Sequence, residues 1–309
     1  MNLQSNAIYK ELLKYKIVKK KNIKVLSNSI RDKNNVKALI CKESKVIFLS
    51  KVIDDKKYYK FFNKSYETYA TPLDPLKGKV NLKNKQIIKT PGLNDCKRRY
   101  LSLESFFYKK SVLDFGCSWG LFLNLLKKKK FVKKISGVEV RNECLQYIKN
   151  KNKNIEVKNN INKFKENFDV VTLFHVLEHL TDQVETLKAI RKKIKKKGKI
   201  IIEVPSAQDF LISIDELPEF KKFTLWSEHL ILHTEKSLRK YLTLAGYKKI
   251  KIKYVQRYGY ANHLGWFLKK QPGGHGFFKK YSNKKKELSY MQNLIKEKQT
   301  DTLIAIGER

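Results

Sequence analysis

From about residue 94 onward, short apolar segments alternate with segments of helical periodicity. Residues 111–115 and 168–174 are apolar runs of strand length, and in the segments that follow, apolar residues recur every three or four positions. Parallel strands connected by helices are buried on both faces, so their sequences are apolar throughout. The alternation predicts an α/β fold with a doubly wound parallel sheet.

The pattern also predicts where the strands and helices lie. We predict seven strands, at residues 111–115, 135–140, 155–157, 168–174, 199–204, 247–255 and 302–307. We predict helices at residues 119–130, 141–149, 182–194 and 234–245. Thr234 is the predicted N-cap of the last helix, and Gly198 is predicted to end the third.

The first 92 residues have a different character. A short amphipathic helix is predicted at 7–15, and residues 36–41 and 46–52 alternate as in a hairpin. Residues 66–92 are rich in proline and glycine, which is typical of a connector. We therefore predict a small irregular N-terminal region at 1–92 and one larger domain at 93–309.

The chain carries a formal net charge of +39, which invites a nucleic-acid function because Lys and Arg neutralise phosphates. However, lysine dominates the cationic residues, with only eight arginines among 68. Arginine is better suited to bidentate recognition of phosphates and bases. We favour a solvated lysine-rich surface over a polyanion-binding one, and keep the second as an alternative.

The sequence gives little sign of export or membrane insertion. It has no run of eighteen apolar residues, and its start lacks the apolar segment of a signal peptide. Four scattered cysteines form no CxxC pair. We expect a cytoplasmic protein without membrane insertion, and the sequence does not specify its oligomeric state.

The strongest local signal is the segment VLDFGCSWG at 112–120, where a strand ends, a turn of small residues follows and a helix begins. Such a turn allows close approach of a ligand to the backbone and presents helix N–H groups. Glu139 follows 19 residues after Gly120, at the end of the next predicted strand. An acid there can accept hydrogen bonds from ribose hydroxyls, so the combination indicates a nucleotide site.

The turn has the form Asp-x-Gly-x-x-x-Gly and resembles the S-adenosylmethionine (SAM) site of class I methyltransferases. The resemblance extends to FDVV at 168–171, HVLEHL at 175–180, GKIIIEVPS at 198–206 and the segment 228–246. It covers roughly residues 94–258 and the last strand, and is nearest to bacterial methyltransferases of polysaccharide or secondary-metabolite pathways. It implies a Rossmann-like seven-stranded sheet and SAM as cofactor.

The resemblance also implies roles for individual residues. The turn would surround the methionine end of SAM, the acid would hold the ribose, and the end of the fourth strand would flank the sulfonium. The cofactor-binding residues implied in this way are Asp114, Gly116, Cys117, Ser118, Gly120, Glu139, Val140, Phe174 and His175. Ser118 departs from the commoner glycine, and its hydroxymethyl group would either crowd the pocket or form a hydrogen bond.

The string His175-x-x-Glu178-His179 has two further interpretations. It matches a zinc protease motif, but that motif requires a long helix, whereas here it follows a buried strand. Some related O-methyltransferases of ubiquinone biosynthesis carry Glu-x-x-Glu-His at this place and bind a divalent metal there. We favour an orienting role for Glu178 and His179 over a divalent metal, and assign no metal ligand.

Methylation of a hydroxyl oxygen benefits from a base. The candidate catalytic residues are His179, His229 and His263. Residues 256–299 form an unusually long connection before the last strand, with His263, His275, Gly273 and Gly274. Long connections are often functional, so we predict an acceptor-binding lid with its glycines as hinges; a helical hairpin packed on the sheet edge is the alternative.

The resemblance, together with these residues, implies a SAM-dependent methyltransferase that acts on oxygen of a sugar, sugar phosphate or other small metabolite, within polysaccharide biosynthesis. The expected partner is a small-molecule or glycan acceptor. The alternative is an RNA methyltransferase, for which the positive charge is the motivation. A non-catalytic protein that has lost the cofactor is a third hypothesis, supported only by Ser118.

Overall fold

The computed structural model describes residues 3–52, 79–80, 87–88 and 91–309. Most of the connector predicted at 66–92 lies outside these residues. The helices of the described residues are α1 Ala7–Lys14, α2 Pro91–Phe107, α3 Leu121–Lys127, α4 Asn142–Lys151, α5 Gln183–Lys192, α6 Phe210–Ser213, α7 Pro218–Thr224, α8 Glu235–Leu244, α9 Tyr260–Lys269, α10 Gly274–Phe277 and α11 Lys284–Lys296. The strands are β1 Ile23–Ser27, β2 Ala38–Cys41, β3 Ile47–Leu49, β4 Lys79–Val80, β5 Ile87–Ile88, β6 Ser111–Phe115, β7 Lys134–Val138, β8 Glu156–Lys158, β9 Phe168–Phe174, β10 Ile194–Pro205, β11 Ile231–Leu232, β12 Lys248–Val255 and β13 Thr302–Glu308.

Seven strands form the main sheet, in the order β12-β13-β10-β9-β6-β7-β8. Strand β6 pairs in parallel with β7 and β9, and β7 pairs in parallel with β8. Strand order reverses beside β6, which is the topological switch point of a doubly wound sheet. The predicted seven-stranded Rossmann-like fold is confirmed.

The register of the central strands determines where their carboxyl ends lie. Phe115 is opposite Val138, so the turn after β6 and the residues after β7 emerge side by side. Helices α3 and α4 pack behind this point in an apolar cluster that includes Leu123, Ile148 and Val157. Burial of these side chains gives the turn a rigid base.

The predicted end of the third helix is wrong. Gly198 was expected to end the third helix, but α5 already ends at Lys192 and Gly198 lies inside strand β10. A Cβ atom at Gly198 would lie 2.8 Å from the backbone oxygen of Asp169. Glycine at this position therefore allows the backbones of two strands to approach closely. In the sequence alone, a glycine that follows a helical segment looks the same whether it caps a helix or lies in a strand.

Strands β2 and β3, which lie within the segments 36–41 and 46–52, pair antiparallel. They belong to a second sheet, in the order β1-β2-β3-β11, whose last strand comes from residues 231–232. Thr234 caps α8 as predicted, through a capping box with Ser237.

The chain forms two compact units. The first unit comprises Met1–Val52, His175–Lys188 and Ile202–Gly307, and the second comprises Ile53–Phe174, Ala189–Ile201 and Glu308–Arg309. The division into 1–92 and 93–309 stays a prediction. The connection 256–299 holds three helices, α9 to α11. Among the described residues, no helix combines the length and the apolar character that crossing a membrane requires.

Candidate cofactor site and acceptor cavity

The turn after β6 lies in the second unit and has an unusual backbone. Gly116, Ser118 and Gly120 all have positive φ, at 80°, 49° and 76°. The N–H of Gly116 donates to the carbonyl of Val138 at 2.8 Å. A Cβ atom at Gly120 would lie 3.0 Å from the Ile148 side chain. Both the conformation and the close packing therefore require glycine at position 120.

Glu139 is connected to this turn. Its carboxylate is buried and accepts hydrogen bonds from the backbone N–H of Ser118 at 2.8 Å and of Arg141 at 3.0 Å. The Arg141 guanidinium donates to the Ser118 hydroxyl at 2.8 Å. For Ser118 we expected either crowding of the pocket or a hydrogen bond, and the structure shows a hydrogen bond with Arg141. Nε of Arg141 also donates to Oε1 of Glu139 at 3.4 Å. A carboxylate has about four acceptor positions, so one position, on Oε2, remains for a ribose hydroxyl.

The inner end of the site contains Asp114 and Phe174. Asp114 accepts a hydrogen bond from the Thr172 hydroxyl at 2.7 Å, and burial raises the pKa of its carboxyl to about 6. The guanidinium carbon of the buried Arg99 lies 4.8 Å from the centre of the Phe174 ring. Val140, predicted to lie beside the adenine, is 65% exposed. Cys117 belongs to the turn, and its side chain is buried in the apolar cluster with Leu123 and Ile148.

Sequence reasoning missed Arg141 and Thr172 in this site. Arg141 directly precedes α4, two residues after the acid, so its position next to Glu139 was the available signal. Thr172 is in register with Asp114 across β6 and β9. That signal requires the strand pairing, which a single sequence does not give.

A mostly parallel sheet in this order, with a glycine turn after β6 and a buried acid after β7, is the arrangement of nucleotide-binding α/β proteins. A family model described as "Methyltransferase domain" matches residues 92–252, just over half of the chain. The chain belongs to this methyltransferase family and is a SAM-dependent methyltransferase, with SAM as its cofactor.

A search of curated proteins finds no match. Among solved structures, a SAM-dependent methyltransferase from Archaeoglobus fulgidus is 19% identical, with a TM-score of 0.47, covering 70% of this chain and 94% of that one. A possible histamine N-methyltransferase from Thermotoga maritima is 14% identical, with a TM-score of 0.41, covering 70% and 95%. The plantazolicin methyltransferase BpumL is 14% identical, with a TM-score of 0.45, covering 81% and 90%.

The first unit contains a cavity of about 510 Å³. Its apolar walls are aromatic, and its polar lining combines histidines with paired charges. The aromatic lining residues are Phe220, Phe223, Trp226, Tyr258 and Trp266, and the titratable or charged ones are Arg31, His175, His179, Asp209, Glu228, His229, Arg257, His275 and Asp301. A volume of this size is typical of small-molecule sites.

Two of the three predicted catalytic histidines meet in this cavity. The rings of His179 and His229 lie 5.2 Å apart, and Nδ1 of His179 donates to the backbone oxygen of Glu228 at 2.9 Å. Burial lowers the pKa of His229 well below its usual value, so its ring is neutral. His263 lies outside the lining: it is 3% exposed, hydrogen-bonded to Tyr290 at 2.9 Å, and burial lowers its pKa to about 4.

His175 adopts a left-handed backbone conformation, with φ of 55°. Its Nδ1 lies 2.9 Å from a carboxylate oxygen of Glu178, and its Nε2 lies 3.4 Å from one of Glu203. Both carboxylates are fully buried, and together they raise the pKa of His175 despite its own burial. The ring is therefore held in place by two acids, and its role beside the sulfonium stays a prediction.

The donor set of Glu178, His179 and His229 is compatible with a divalent cation. One ligand atom from each lies within 4.8 Å of the others, and Oε2 of Glu178 and Nδ1 of His229 are buried without a partner among the described residues. The contact between His175 and Glu178 also supports the orienting role, because the imidazole compensates the buried carboxylate and lowers its pKa to about 2.

We expect methyl transfer to survive excess EDTA, because His175 already compensates the charge of Glu178 without a cation. Turnover is measured in buffer treated with a chelating resin, with and without added Mg²⁺ or Mn²⁺. The control is cofactor affinity under the same conditions. Loss of turnover on chelation with recovery in either metal would contradict the orienting role and favour a metal held by Glu178, His179 and His229.

Proposed function

We propose that the cavity of the first unit binds the methyl acceptor, and that the reaction is methylation of a hydroxyl oxygen on a sugar, sugar phosphate or other small metabolite. The observation that carries the proposal is the lining of this cavity of about 510 Å³, in which aromatic walls surround a few polar groups. Sites for small organic ligands have this composition, because apolar contacts give affinity and a few polar groups give orientation.

The aromatic side chains that line the cavity pack against one another. Phe220 and Phe223 each lie 5.0 Å from Trp266, measured between ring centres. The guanidinium carbon of Arg31 lies 4.0 Å from the centre of the Phe223 ring. Flat ring faces in a fixed arrangement suit a cyclic acceptor such as a sugar.

The position of the lining residues in the chain supports the same proposal. His175 directly follows the last residue of β9, Pro205 is the last residue of β10, and Ser206 follows it. In doubly wound sheets, ligands bind at the carboxyl ends of the strands. The cavity thus includes residues from the carboxyl ends of two strands, where a substrate is expected.

SAM supplies a methyl group that is already activated by its sulfonium. The chain's own residues have three tasks: to hold the cofactor, to align the acceptor and to take up its proton. Glu139 and the turn at 116–120 serve the first task. The neutral imidazole of His229 and the ring of His179 are candidates for the third.

An RNA acceptor is the second candidate, motivated by the charge of +39. The described residues that line the cavity include two arginines and no lysine. An RNA site needs a basic surface with stacking aromatics at its entrance. Retention of total RNA that falls steeply between 50 and 200 mM salt, together with methylation of that RNA, would favour this candidate.

The experiment that tests the proposal uses SAM with a labelled methyl group. The full chain is incubated with nucleotide sugars, glycan extracts, small phenols and RNA, and label transferred to each is measured. We expect label on an oxygen of a small cyclic acceptor. Label only on RNA, or on none of them despite measurable SAM binding, would contradict the proposed acceptor class.

Replacing His275 with alanine should lower methyl transfer about tenfold while SAM affinity stays near that of the wild type. His275 lines the cavity from the predicted lid at 256–299, so it is expected to contact the acceptor rather than the cofactor. Lys280→Ala, an exposed change in the same segment, is the matched control. Equal losses of turnover and of SAM affinity in His275→Ala would argue against acceptor recognition by this segment.

A further inference from the structure

We propose that Asp209 takes the proton from the acceptor's hydroxyl group during methyl transfer. This inference rests on the proposed function, because it assigns a catalytic residue to the cavity that binds the acceptor. Asp209 lies in the loop between β10 and α6 and is among the residues that line that cavity. Its position was not singled out by sequence reasoning.

The carboxylate of Asp209 is buried but incompletely used. The side chain is 7% exposed, and Oδ1 accepts a hydrogen bond from the backbone N–H of Leu211 at 2.8 Å. No other described residue forms a hydrogen bond with this carboxylate. Buried carboxylates are usually satisfied on both oxygens, so Oδ2 is available to a hydroxyl group that enters the cavity.

Asp301, the other buried aspartate of the cavity, is fully engaged. Its Oδ1 accepts from Nε of Arg257 at 3.2 Å and from the Thr302 hydroxyl at 2.6 Å. Its Oδ2 accepts from the backbone N–H groups of Arg257 at 2.8 Å and Tyr258 at 3.2 Å. Asp301 is therefore a structural ion-pair partner, whereas Asp209 retains a free acceptor atom.

The surroundings of Asp209 suit a base at neutral pH. Burial and the nearby charge of Asp301 raise the pKa of Asp209 to about 7, which the positive charge of Arg257 partly opposes. The Tyr290 hydroxyl also lies in its electrostatic environment and stays protonated, because burial and Asp209 raise the pKa of Tyr290 to about 12. A general base is most effective when its pKa lies near the working pH.

The proposed step balances as follows. The acceptor's O–H bond breaks and its proton binds Oδ2 of Asp209. An electron pair of the acceptor oxygen forms the new bond to the methyl carbon, while the carbon–sulfur bond breaks and its pair stays on sulfur. The products are the methyl ether and S-adenosylhomocysteine, and Asp209 then releases its proton to water.

The test compares the wild type with Asp209→Asn. The amide keeps an oxygen to accept from the Leu211 N–H, so the cap of α6 is retained while the base is removed. Asp215→Asn, at an exposed carboxylate six residues away, is the matched control. Turnover with labelled SAM and the acceptor panel is measured from pH 5.5 to 9, and SAM affinity by calorimetry.

We expect Asp209→Asn to lower turnover by roughly a hundredfold or more, with SAM affinity within about twofold of the wild type. The rise of wild-type turnover through about pH 7 should disappear in this variant, a change that a purely structural role would not produce. Turnover within about threefold of the wild type, with the same pH profile, would overturn the proposal.

A second measurement does not depend on the acceptor. In protein labelled with ¹³C at the aspartate side-chain carboxyl, one resonance should titrate near pH 7 and be missing from Asp209→Asn. If Asp209 titrates near the usual value of about 4, the proposal fails. If the wild type binds SAM but methylates none of the acceptors, the proposed function is contradicted. The titration then still shows whether the pKa of Asp209 is suited to a base.

Discussion

Replacing Glu139 with alanine weakens SAM binding by roughly ten- to a hundredfold, while the protein remains folded. Loss of charge-assisted hydrogen bonds of this kind costs about 1.5–3 kcal/mol. Glu139 has two tasks in the site: its remaining acceptor position is expected to hold a ribose hydroxyl, and it fixes the turn through the N–H of Ser118. Both tasks are lost in the alanine variant.

The measurement is SAM affinity by calorimetry, with circular dichroism as a check on folding. Glu143→Ala removes an exposed acid of the same charge from α4 and is the matched control; it should bind SAM as the wild type does. A Glu139→Ala variant that folds and binds SAM with unchanged affinity would contradict the assignment of the cofactor site to this acid and turn.

The second large effect concerns stability against pH. Because the pKa of Asp209 is raised to about 7 in the folded protein and is about 4 in the unfolded chain, the folded state binds the extra proton between these values. The contribution of Asp209 to the free energy of unfolding is fully present below about pH 4 and is lost as pH rises through about 7. The loss is on the order of 4 kcal/mol.

Asp209→Asn cannot titrate at this position, so the loss should be absent from it. Urea unfolding of the wild type and the variant at pH 4.5 and 7.5 gives the free energies of unfolding. Other groups with shifted pKa values, such as Asp114, occur in both proteins and cancel in the difference. Identical pH dependence in the two proteins would show that Asp209 has an ordinary pKa.

The strands and the turn that form the cofactor site could largely be predicted from the sequence. The strands β6 and β9 were predicted with the bounds that the structure gives them, 111–115 and 168–174. Buried parallel strands need continuous apolar runs, and the turn after β6 needs glycine where φ is positive, as at Gly116 and Gly120. These requirements act over a few neighbouring residues, so they are visible in the sequence.

The cavity of the first unit, which we propose as the acceptor site, could be recognised only from the tertiary structure. The cavity brings together Arg31, His179, Asp209 and His275, which are separated by up to 244 positions. His263 was as good a candidate from the sequence as His179 and His229, yet it does not line the cavity and forms a hydrogen bond with Tyr290. Whether a histidine side chain lines a cavity or packs against another residue depends on how distant segments pack. The local sequence around the histidine does not predict this.

The sequence by itself determined the order of strands and helices, the glycine turn and the acid that follows it. Three features were decided by the tertiary structure: β10 begins at Ile194, the Ser118 hydroxyl accepts a hydrogen bond from Arg141, and Oδ2 of Asp209 has no hydrogen-bond partner among the described residues. The physical reason is the range of the interactions involved. Backbone conformation and hydrophobic periodicity are local properties of the chain, whereas strand register, burial of a carboxylate and its hydrogen-bond partners are set by residues far apart in sequence.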